Sequence, residues 1–360
     1  MRTLVTGGLG LVGCSYAAHR LRLGDSVVVL DNGARGISNQ LNLEWLRTIE
    51  ADSPGKLVVV DGGVETWTGV LQALGTFGGI DAVIHAAAQS SVDVSMEKPL
   101  LDFEWNVQGT VFLLEALRVQ CPKARMVFLA SNKIYDVVDW PTELIPSSFG
   151  RGFSRYQWAG RRVGPSEARP FHTDAREPYG ASKICGFYYS RCYSKMYEMP
   201  IVVAVPSGMY GARQFGKSEQ GWLGWMAIAT ELGLPITIHG DGAQVRDMLD
   251  VRDVCTALDL LLELAPKYPG EVFNLGGGPR NAVSLLEALQ MISAGLGKTP
   301  VVSYGEWRVH DNRCYVSNVS RLLEQGWIPS IDIHEGIRAL CGWVRSSRTE
   351  LEEIYGHNSV

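Results

Sequence analysis

The sequence predicts an α/β protein built on a doubly wound parallel sheet of the Rossmann type, with a smaller α/β C-terminal lobe. Three observations carry that expectation. A glycine-patterned turn follows the first strand pattern directly, short β-branched runs alternate with longer helical patterns, and the patterning becomes mixed beyond about residue 207. With 360 residues, 46% hydrophobic and 20% charged, the chain has ordinary globular composition and length for roughly two lobes of ~150 residues.

The first strand pattern, residues 3–5, runs into Thr6-Gly7-Gly8-Leu9-Gly10-Leu11-Val12-Gly13, and a helical pattern covers residues 11–23. In such a turn Gly7 permits the tight bend, Gly10 lets backbone approach a pyrophosphate, and Gly13 lets the helix pack on the strand. Amides at the helix N-terminus then face the anion. A glycine-rich turn without a ligand is the alternative. The second strand, residues 27–30, is followed by Asp31, eighteen residues after Gly13. A carboxylate there accepts hydrogen bonds from ribose hydroxyls and repels a 2′-phosphate, so NAD is favoured over NADP, with Arg35 the competing signal.

A helix over 39–50 and a strand over 57–60 follow. Asp61 at that strand's end is placed toward the adenine or is a solvated turn residue. A strand at 82–84, a helix near 103–119 and a strand at 126–129 continue the βαβ rhythm. Ser131 lies just beyond the last of these, at the carboxyl edge where such sheets bind ligands.

Between 136 and 178 the regularity lapses. Pro141, Pro146, Pro165, Pro170, Gly150, Gly152, Gly160 and Gly164 fall here, with five arginines between Arg151 and Arg169. The segment is expected to be an excursion over the active site, a disordered insert being the alternative. A helix carrying Tyr179-Gly180-Ala181-Ser182-Lys183 and a strand over 201–205 return to the sheet. Short strands at 236–238 and 272–274, and a helix opened by the capping-box arrangement Ser284-Leu285-Leu286-Glu287, build the smaller lobe. The expected domains are 1–206, binding NAD, and 207–360, binding the substrate. Strands near 236–240 and 272–276 are candidates to interleave with the first domain.

Tyr179 and Lys183 stand at i and i+4, on one helix face. A phenol ionising near 10 is a poor base at neutral pH, and lowering it by ~3 units takes ~4 kcal/mol of preferential phenolate stabilisation. The ammonium of Lys183 and a positive nicotinamide can supply it. Lys183 can also hold the nicotinamide ribose, and the Ser131 hydroxyl can bridge a substrate alcohol to Tyr179. The constellation predicts nicotinamide-linked chemistry at a hydroxyl.

Other classes are disfavoured. A formal charge of -5 leaves no basic footprint for nucleic acid. No run approaches ~18 apolar residues, so no membrane span is expected. Seven cysteines without a C-x-x-C pair and seven histidines without ligand spacing predict neither a disulfide framework nor a metal site, and reduced thiols suit a cytoplasmic location.

Over most of its length the chain resembles the extended short-chain dehydrogenase/reductase family of nucleotide-sugar epimerases and dehydratases. The matching elements are residues 6–13, Asp31-Asn32, His85-Ala86-Ala87-Ala88-Gln89, Asn106-Val107-Gln108-Gly109-Thr110, Ser131 four residues before Tyr135, and Tyr179-x-x-x-Lys183. Within that family Ser131-Asn132-Lys133-Ile134-Tyr135, Met209-Tyr210-Gly211-Ala212-Arg213-Gln214-Phe215, residues 220–225 and Gly242-Ala243-Gln244-Val245-Arg246-Asp247 look most like the CDP-paratose (CDP-tyvelose) 2-epimerase group.

The resemblance implies a tightly held NAD contacting Gly7, Gly10, Leu11, Val12, Asp31, Asn32, Asp61, Ala86, Ala87, Gln89, Asn106, Tyr179 and Lys183. It implies Tyr179 as base and then acid, assisted by Ser131 and Lys183. It implies a nucleotide-sugar substrate, CDP-linked by preference, met by Ser131, Asn132, Lys133, Arg213, Gln214, Arg246 and Arg308. Arg246 and Arg308 are the diphosphate candidates, because guanidinium binds phosphate in a bidentate manner, and Arg213 and Gln214 stand nearer the sugar. A homodimer is also implied.

The sister 4,6-dehydratases carry Asp-Glu directly after the position of Ser131, where this chain has Asn132 and Lys133. An amide exchanges no useful proton and an ammonium is already protonated, which disfavours elimination. Epimerisation at C2 is the expectation, with a C4 epimerase or 4,6-dehydratase as alternatives. A non-catalytic nucleotide-binding sensor is the alternative from another class, opposed by the retention of Ser131, Tyr179 and Lys183.

Overall fold

A computed structural model describes residues 1–135, 137, 139–147, 154–168, 177–308 and 311–356. The expected alternation opens the chain: β1 (Arg2–Thr6), α1 (Leu11–Arg22), β2 (Ser26–Asp31), α2 (Ile37–Ala51), β3 (Lys56–Asp61), α3 (Trp67–Gly75), β4 (Ala82–His85), α4 (Val92–Glu97), α5 (Pro99–Phe103), α6 (Gly109–Gln120) and β5 (Arg125–Leu129). Helix α3 was not anticipated. The helix expected near 103–119 is longer: α5 and α6 are joined by a π-helical turn, Glu104–Gln108, an insertion that often marks functional sites.

The irregular excursion is corrected in part. It contains β6 (Thr142–Pro146) and β7 (Ser154–Trp158), an antiparallel pair with Thr142 opposite Trp158. Tyr156 and Trp158 are buried while their neighbours are not, and this period of two gives β7 one apolar face. Arg151 and Arg169, with Gly150, Gly152 and Pro170, lie outside the described residues. After them come α7 (Pro178–Met196), β8 (Ile201–Pro206), β9 (Gly208–Tyr210), α8 (Trp222–Leu232), β10 (Pro235–His239), β11 (Val245–Asp250), α9 (Val251–Leu264), β12 (Val272–Leu275), β13 (Ala282–Ser284), α10 (Leu285–Leu296), β14 (Val301–Gly305), β15 (Cys314–Tyr315), α11 (Ser320–Glu324), α12 (Ile333–Ser346) and α13 (Arg348–Tyr355).

The chain divides into two units. The first comprises Met1–Ile134, Phe171–Pro206 and Val254–Phe273. Its seven-stranded sheet has the order β12-β8-β5-β4-β1-β2-β3. β1 pairs in parallel with both β2 and β4, so the winding reverses at β1 and β4 and opens a crevice beyond their carboxyl ends. Leu4, Val5, Val27, Val28, Val29, Val83 and Ile84 are fully buried, the continuous apolar run that a sheet covered on both faces demands.

The second unit comprises Tyr135–Pro170, Ser207–Asp253 and Asn274–Val360. β11 is central there, antiparallel to β13 and parallel to β9 and β15, while β10 pairs with β14. Helix α10 starts with the expected capping box: Glu287 N–H donates to Ser284 Oγ at 3.2 Å and Ser284 N–H to Glu287 Oε2 at 2.7 Å.

This division differs from a single cut at 206/207. Residues 254–273 fall in the first unit because the chain returns to the sheet edge, where Val203 N–H donates to the Glu271 carbonyl. Residues 135–170 fall in the second, where Tyr156 N–H donates to Ala243 and Gly164 N–H to Val316. The strand expected near 236–240 pairs inside the second unit. No helix among the described residues is long and apolar enough to cross a membrane, and no group of three His, Cys, Asp or Glu among them is placed to hold a metal ion.

Candidate active site

The glycine loop is built by close approach. Gly7 has φ +64°, its N–H donates to the Leu30 carbonyl at 2.8 Å, and a Cβ there would stand 2.7 Å from Ala87 Cα. A Cβ on Gly13 would stand 2.2 Å from the Gly7 carbonyl oxygen, so α1 can begin against the loop only with hydrogen at that position. Gly8, which the spacing did not single out, is equally confined: its Cβ would stand 2.6 Å from Val29 Cγ1. Gly10 differs. A Cβ there would meet only the Gly7 oxygen, at 3.4 Å, so any side chain would fill the approach to the loop. Gly10 is also the N-cap of α1, no side chain caps that end, and the amides of Leu11 and Val12 lead the helix. Ala86 and Ala87 continue β4 alongside, donating to the Thr6 carbonyl and to Thr6 Oγ1, each at 3.2 Å.

Asp31 ends β2 as expected. Its Oδ1 accepts from Gly33 N–H at 2.9 Å and Asn39 Nδ2 at 3.0 Å, and its Oδ2 from Leu9 N–H at 2.9 Å. These bonds fix the carboxylate and leave acceptor capacity on Oδ2. Burial nonetheless pushes this carboxyl above its ordinary range. Asn32 shapes the same turn by donating to Glu65 at 3.1 Å, Asp61 stands exposed in register with Asp31, and Arg35 is exposed.

Helix α7 brings the reactive groups to the end of β5. Pro178 occupies its first turn, Tyr179 N–H donates to Ser95 Oγ at 3.2 Å, and Tyr179 and Lys183 are both buried. A Cβ on Gly186 would stand 2.6 Å from Phe128 Cζ, so this glycine lets α7 ride close on β5. Ser131 Oγ accepts from Lys133 N–H at 3.2 Å and lies 3.4 Å from Asn132 Oδ1. Asn132 and Lys133 form a 3-10 turn immediately after it.

Burial pushes the Tyr179 phenol up to about 12; Ser131 opposes the rise, and Asp102 and Glu177 add to it. The Lys183 ammonium donates to the Leu129 carbonyl at 2.9 Å and lies 5.3 Å from the Phe128 ring centroid. Burial pushes Lys183 down to about 8, against the pull of Asp102. The phenol is therefore held as an acid in the free protein.

A buried polar cluster beneath these groups was only half anticipated. Asn106, on the π-helical turn, donates through Nδ2 to the Gln89 carbonyl at 2.9 Å, Asp102 Oδ1 at 3.0 Å and Ser182 Oγ at 3.0 Å. Gln89 Nε2 donates to the same Asp102 oxygen at 3.0 Å. Asp102 escaped the sequence reading because an acid in a helix reads as solvated surface; its spacing of four from Asn106, on one face, was the available signal. His85 was quoted only within a motif. Its Nδ1 lies 2.7 Å from Thr6 Oγ1 and its Nε2 3.0 Å from Thr110 Oγ1, and Thr110 donates to the Asn106 carbonyl at 2.6 Å. Burial and the nearby Lys183 push this imidazole down to about 3, so it is neutral and ties β1 and β4 to α6.

The predicted substrate arginines belong to the second unit. Arg246 on β11 pairs with Asp311 and donates to its neighbour Val245's carbonyl at 2.7 Å. Arg308 donates to the Ser218 carbonyl at 3.3 Å. Arg213 adopts φ +65°, uncommon for a side chain, and stands 3.9 Å from Glu350 and 5.4 Å from the Phe215 ring centroid. Gln214 is buried, donates to the Met209 carbonyl at 3.1 Å, and lies where a Cβ on Gly224 would stand 2.6 Å from its Oε1.

The residues present fit NAD. The cradle at Gly10 is one a side chain would fill, the helix end beside it is uncapped, and Asp31 is held with acceptor capacity to spare. A Rossmann unit that joins this cradle to Ser131, Tyr179 and Lys183 belongs to the class that works a nicotinamide dinucleotide against a hydroxyl.

The comparisons narrow that class. The family model described as NAD dependent epimerase/dehydratase matches residues 3–276, and the chain belongs to this family, with NAD as its cofactor. It is 29% identical over 352 residues to the CDP-paratose 2-epimerase of Salmonella typhi, covering 96% of this chain and 100% of that one. It is 27% identical over 372 residues to a dTDP-glucose 4,6-dehydratase of Xanthomonas campestris pv. campestris, covering 98% and 95%. The solved UDP-glucose 4-epimerase of Thermus thermophilus, in complex with NAD, superposes with TM-score 0.77 at 30% identity, over 96% of this chain and 100% of that one.

Proposed function

We propose that the protein is an NAD-dependent epimerase of a nucleotide-diphosphate sugar, acting at C2 by transient oxidation to a keto-sugar. The observation that carries the reading is that Ser131, Tyr179 and Lys183, all buried, gather at the end of β5, where Lys183 Nζ donates to the Leu129 carbonyl at 2.9 Å, within the unit that holds the glycine loop. The Ser131 hydroxyl bridges the sugar alcohol to the phenol, and Tyr179 removes the alcohol proton and later returns one to the same oxygen, once the keto-sugar has presented its opposite face for reduction. Lys183, ammonium below about pH 8, supplies the positive charge of the site. Bound NAD supplies a cationic ring that favours phenolate and that takes up, then gives back, the carbon-bound hydrogen with its electron pair.

The choice of C2 is supported by the likeness to the Salmonella enzyme. Elimination is disfavoured by Asn132 and Lys133, which offer no acid–base pair next to Ser131. Arg246 and Arg308 are the proposed diphosphate ligands, Arg213 and Gln214 the proposed sugar contacts. A cytoplasmic homodimer is part of the same reading and is checked by sedimentation and by fractionation of cells.

The deciding experiment incubates the pure protein with CDP-, UDP-, GDP- and dTDP-sugars in deuterated water and follows stereochemistry by NMR. Inversion at C2 without solvent deuterium at that carbon is expected. Deuterium at the inverted carbon, or inversion at C4, overturns the mechanism or the position respectively.

A further inference from the structure

Asp102 is a carboxylate with 1% of its surface exposed, in a place where the proposed reaction assigns it nothing. Its Oδ1 receives Gln89 Nε2 and Asn106 Nδ2, both at 3.0 Å, and the same Asn106 Nδ2 donates to Ser182 Oγ at 3.0 Å, linking the carboxylate to α7. Ser182 lies one residue before Lys183 and three after Tyr179, and Ser182 Oγ also lies 3.0 Å from the Tyr179 carbonyl. The carboxylate thus anchors the one segment of α7 that carries both reactive groups. It also orients the Asn106 carboxamide, whose Oδ1 is buried without a hydrogen-bond partner.

Among the described residues, the charged and titratable groups around it are few. α7 brings Tyr179 and Lys183, and Glu177 precedes that helix. His85 on β4 is neutral. Asp93 on α4 is half-buried, while Glu97, Lys98 and Glu104 are exposed and screened. A buried negative charge beside one acid and one ammonium acts on both with the same sign: it keeps the phenol protonated and the amine charged.

We propose that Asp102 is a positioning residue of the reaction, which through Asn106, Gln89 and Ser182 fixes the reactive face of α7 and sets its charge balance. This rests on the reading of Tyr179 as the acid–base residue. Replacing the carboxylate by its neutral isostere, Asp102→Asn, removes charge with little change of shape. Both limbs of the pH profile of turnover then move toward acid by about one unit, with KM nearly unchanged. A residue needed only for folding lowers the height of the profile without moving its limbs.

A second readout needs no turnover. The Lys183 side-chain resonance of protein with isotope-labelled lysine, assigned by its loss in Lys183→Arg, titrates near pH 8 in the parent. It titrates about one unit lower in Asp102→Asn. A midpoint and a profile that stay in place overturn the proposal. Should Asp102→Asn fail to fold, Ser182→Ala keeps the carboxylate and deletes its link to α7. A several-fold fall in kcat at constant KM supports the proposal, and an unchanged kcat overturns it. Full activity in Tyr179→Phe instead sinks the acid–base reading itself, so the two failures are distinguishable.

Discussion

The glycine loop of the first unit and the arginines of the second are both predicted anion ligands, and they differ in what holds them. At the loop, backbone amides are aimed by covalent geometry, and glycines that cannot bear a Cβ force the approach. In the second unit the donors are long side chains, of which Arg246 pairs with Asp311 and Arg308 donates to the Ser218 carbonyl at 3.3 Å. A backbone site is determined by which residues can occupy it. A side-chain site depends on competition among neighbours distant in sequence. The first kind survives translation from sequence to structure with its geometry intact.

The sharpest way to break this comparison is at the residue where a backbone-built site delivers chemistry. Tyr179→Phe removes one oxygen from a buried ring and leaves the glycine loop untouched. Turnover is expected to fall by about 10³-fold, with melting temperature and retained NAD unchanged. A tenfold loss or less removes Tyr179 from the acid–base role.

His85 extends the argument to stability. Its folded value is about 3 against 6.5 unfolded, so between these limits the unfolded chain binds more protons. Its contribution is complete above pH 6.5 and is lost as pH falls toward 3, amounting to ~3 kcal/mol by pH 4. Urea unfolding at pH 7 and pH 4 tests this. His85→Asn should show a smaller acid loss than the parent, and equal losses would assign acid unfolding elsewhere.

Gly13→Ala attacks the loop through packing alone. Its Cβ would stand 2.2 Å from the Gly7 oxygen, an overlap that the loop relieves only by moving. About 2 kcal/mol of stability should be lost, and NAD should no longer survive desalting. Gly10→Ala meets no such clash and should lose NAD while keeping its stability. If both variants lose stability alike, Gly10 is a packing glycine and not a cradle.

These contrasts also explain what was legible in advance. The βαβ alternation, the tight turn at Gly7, the close approach at Gly13 and the placing of Ser131 just beyond β5 follow from local periodicity and from where a strand must end. Asp102 and the Thr6-His85-Thr110 chain were not read, because a buried polar cluster is defined by partners up to 81 residues apart that share no pattern. The pair β6 and β7 hid behind prolines that bracket a strand as readily as they break one. The bond from the Lys183 ammonium to the Leu129 carbonyl was equally out of reach, since only three dimensions bring α7 against the end of β5.

Asp31 sits between the two regions in kind: a side chain, but one locked by Leu9, Gly33 and Asn39. Asp31→Asn keeps much of that geometry and removes the charge that repels a 2′-phosphate. NAD affinity should fall about tenfold, and preference over NADP should narrow, because the charge that repels the 2′-phosphate is gone. Calorimetric titration with both cofactors measures it, and an unchanged preference would move discrimination away from Asp31.

The smallest effects belong to the second unit, where they bear on whether a paired arginine is masked. Arg246 is held by Asp311, and both are part-exposed, so the pair contributes little to stability. If Asp311 competes with a diphosphate, Asp311→Asn lowers KM for the nucleotide sugar about threefold while Arg246→Gln raises it by a similar factor. Opposite signs at the two positions identify a masked ligand. A rise in both would make Asp311 the group that aims the guanidinium, and the contrast between backbone and side-chain anion sites would then be one of degree.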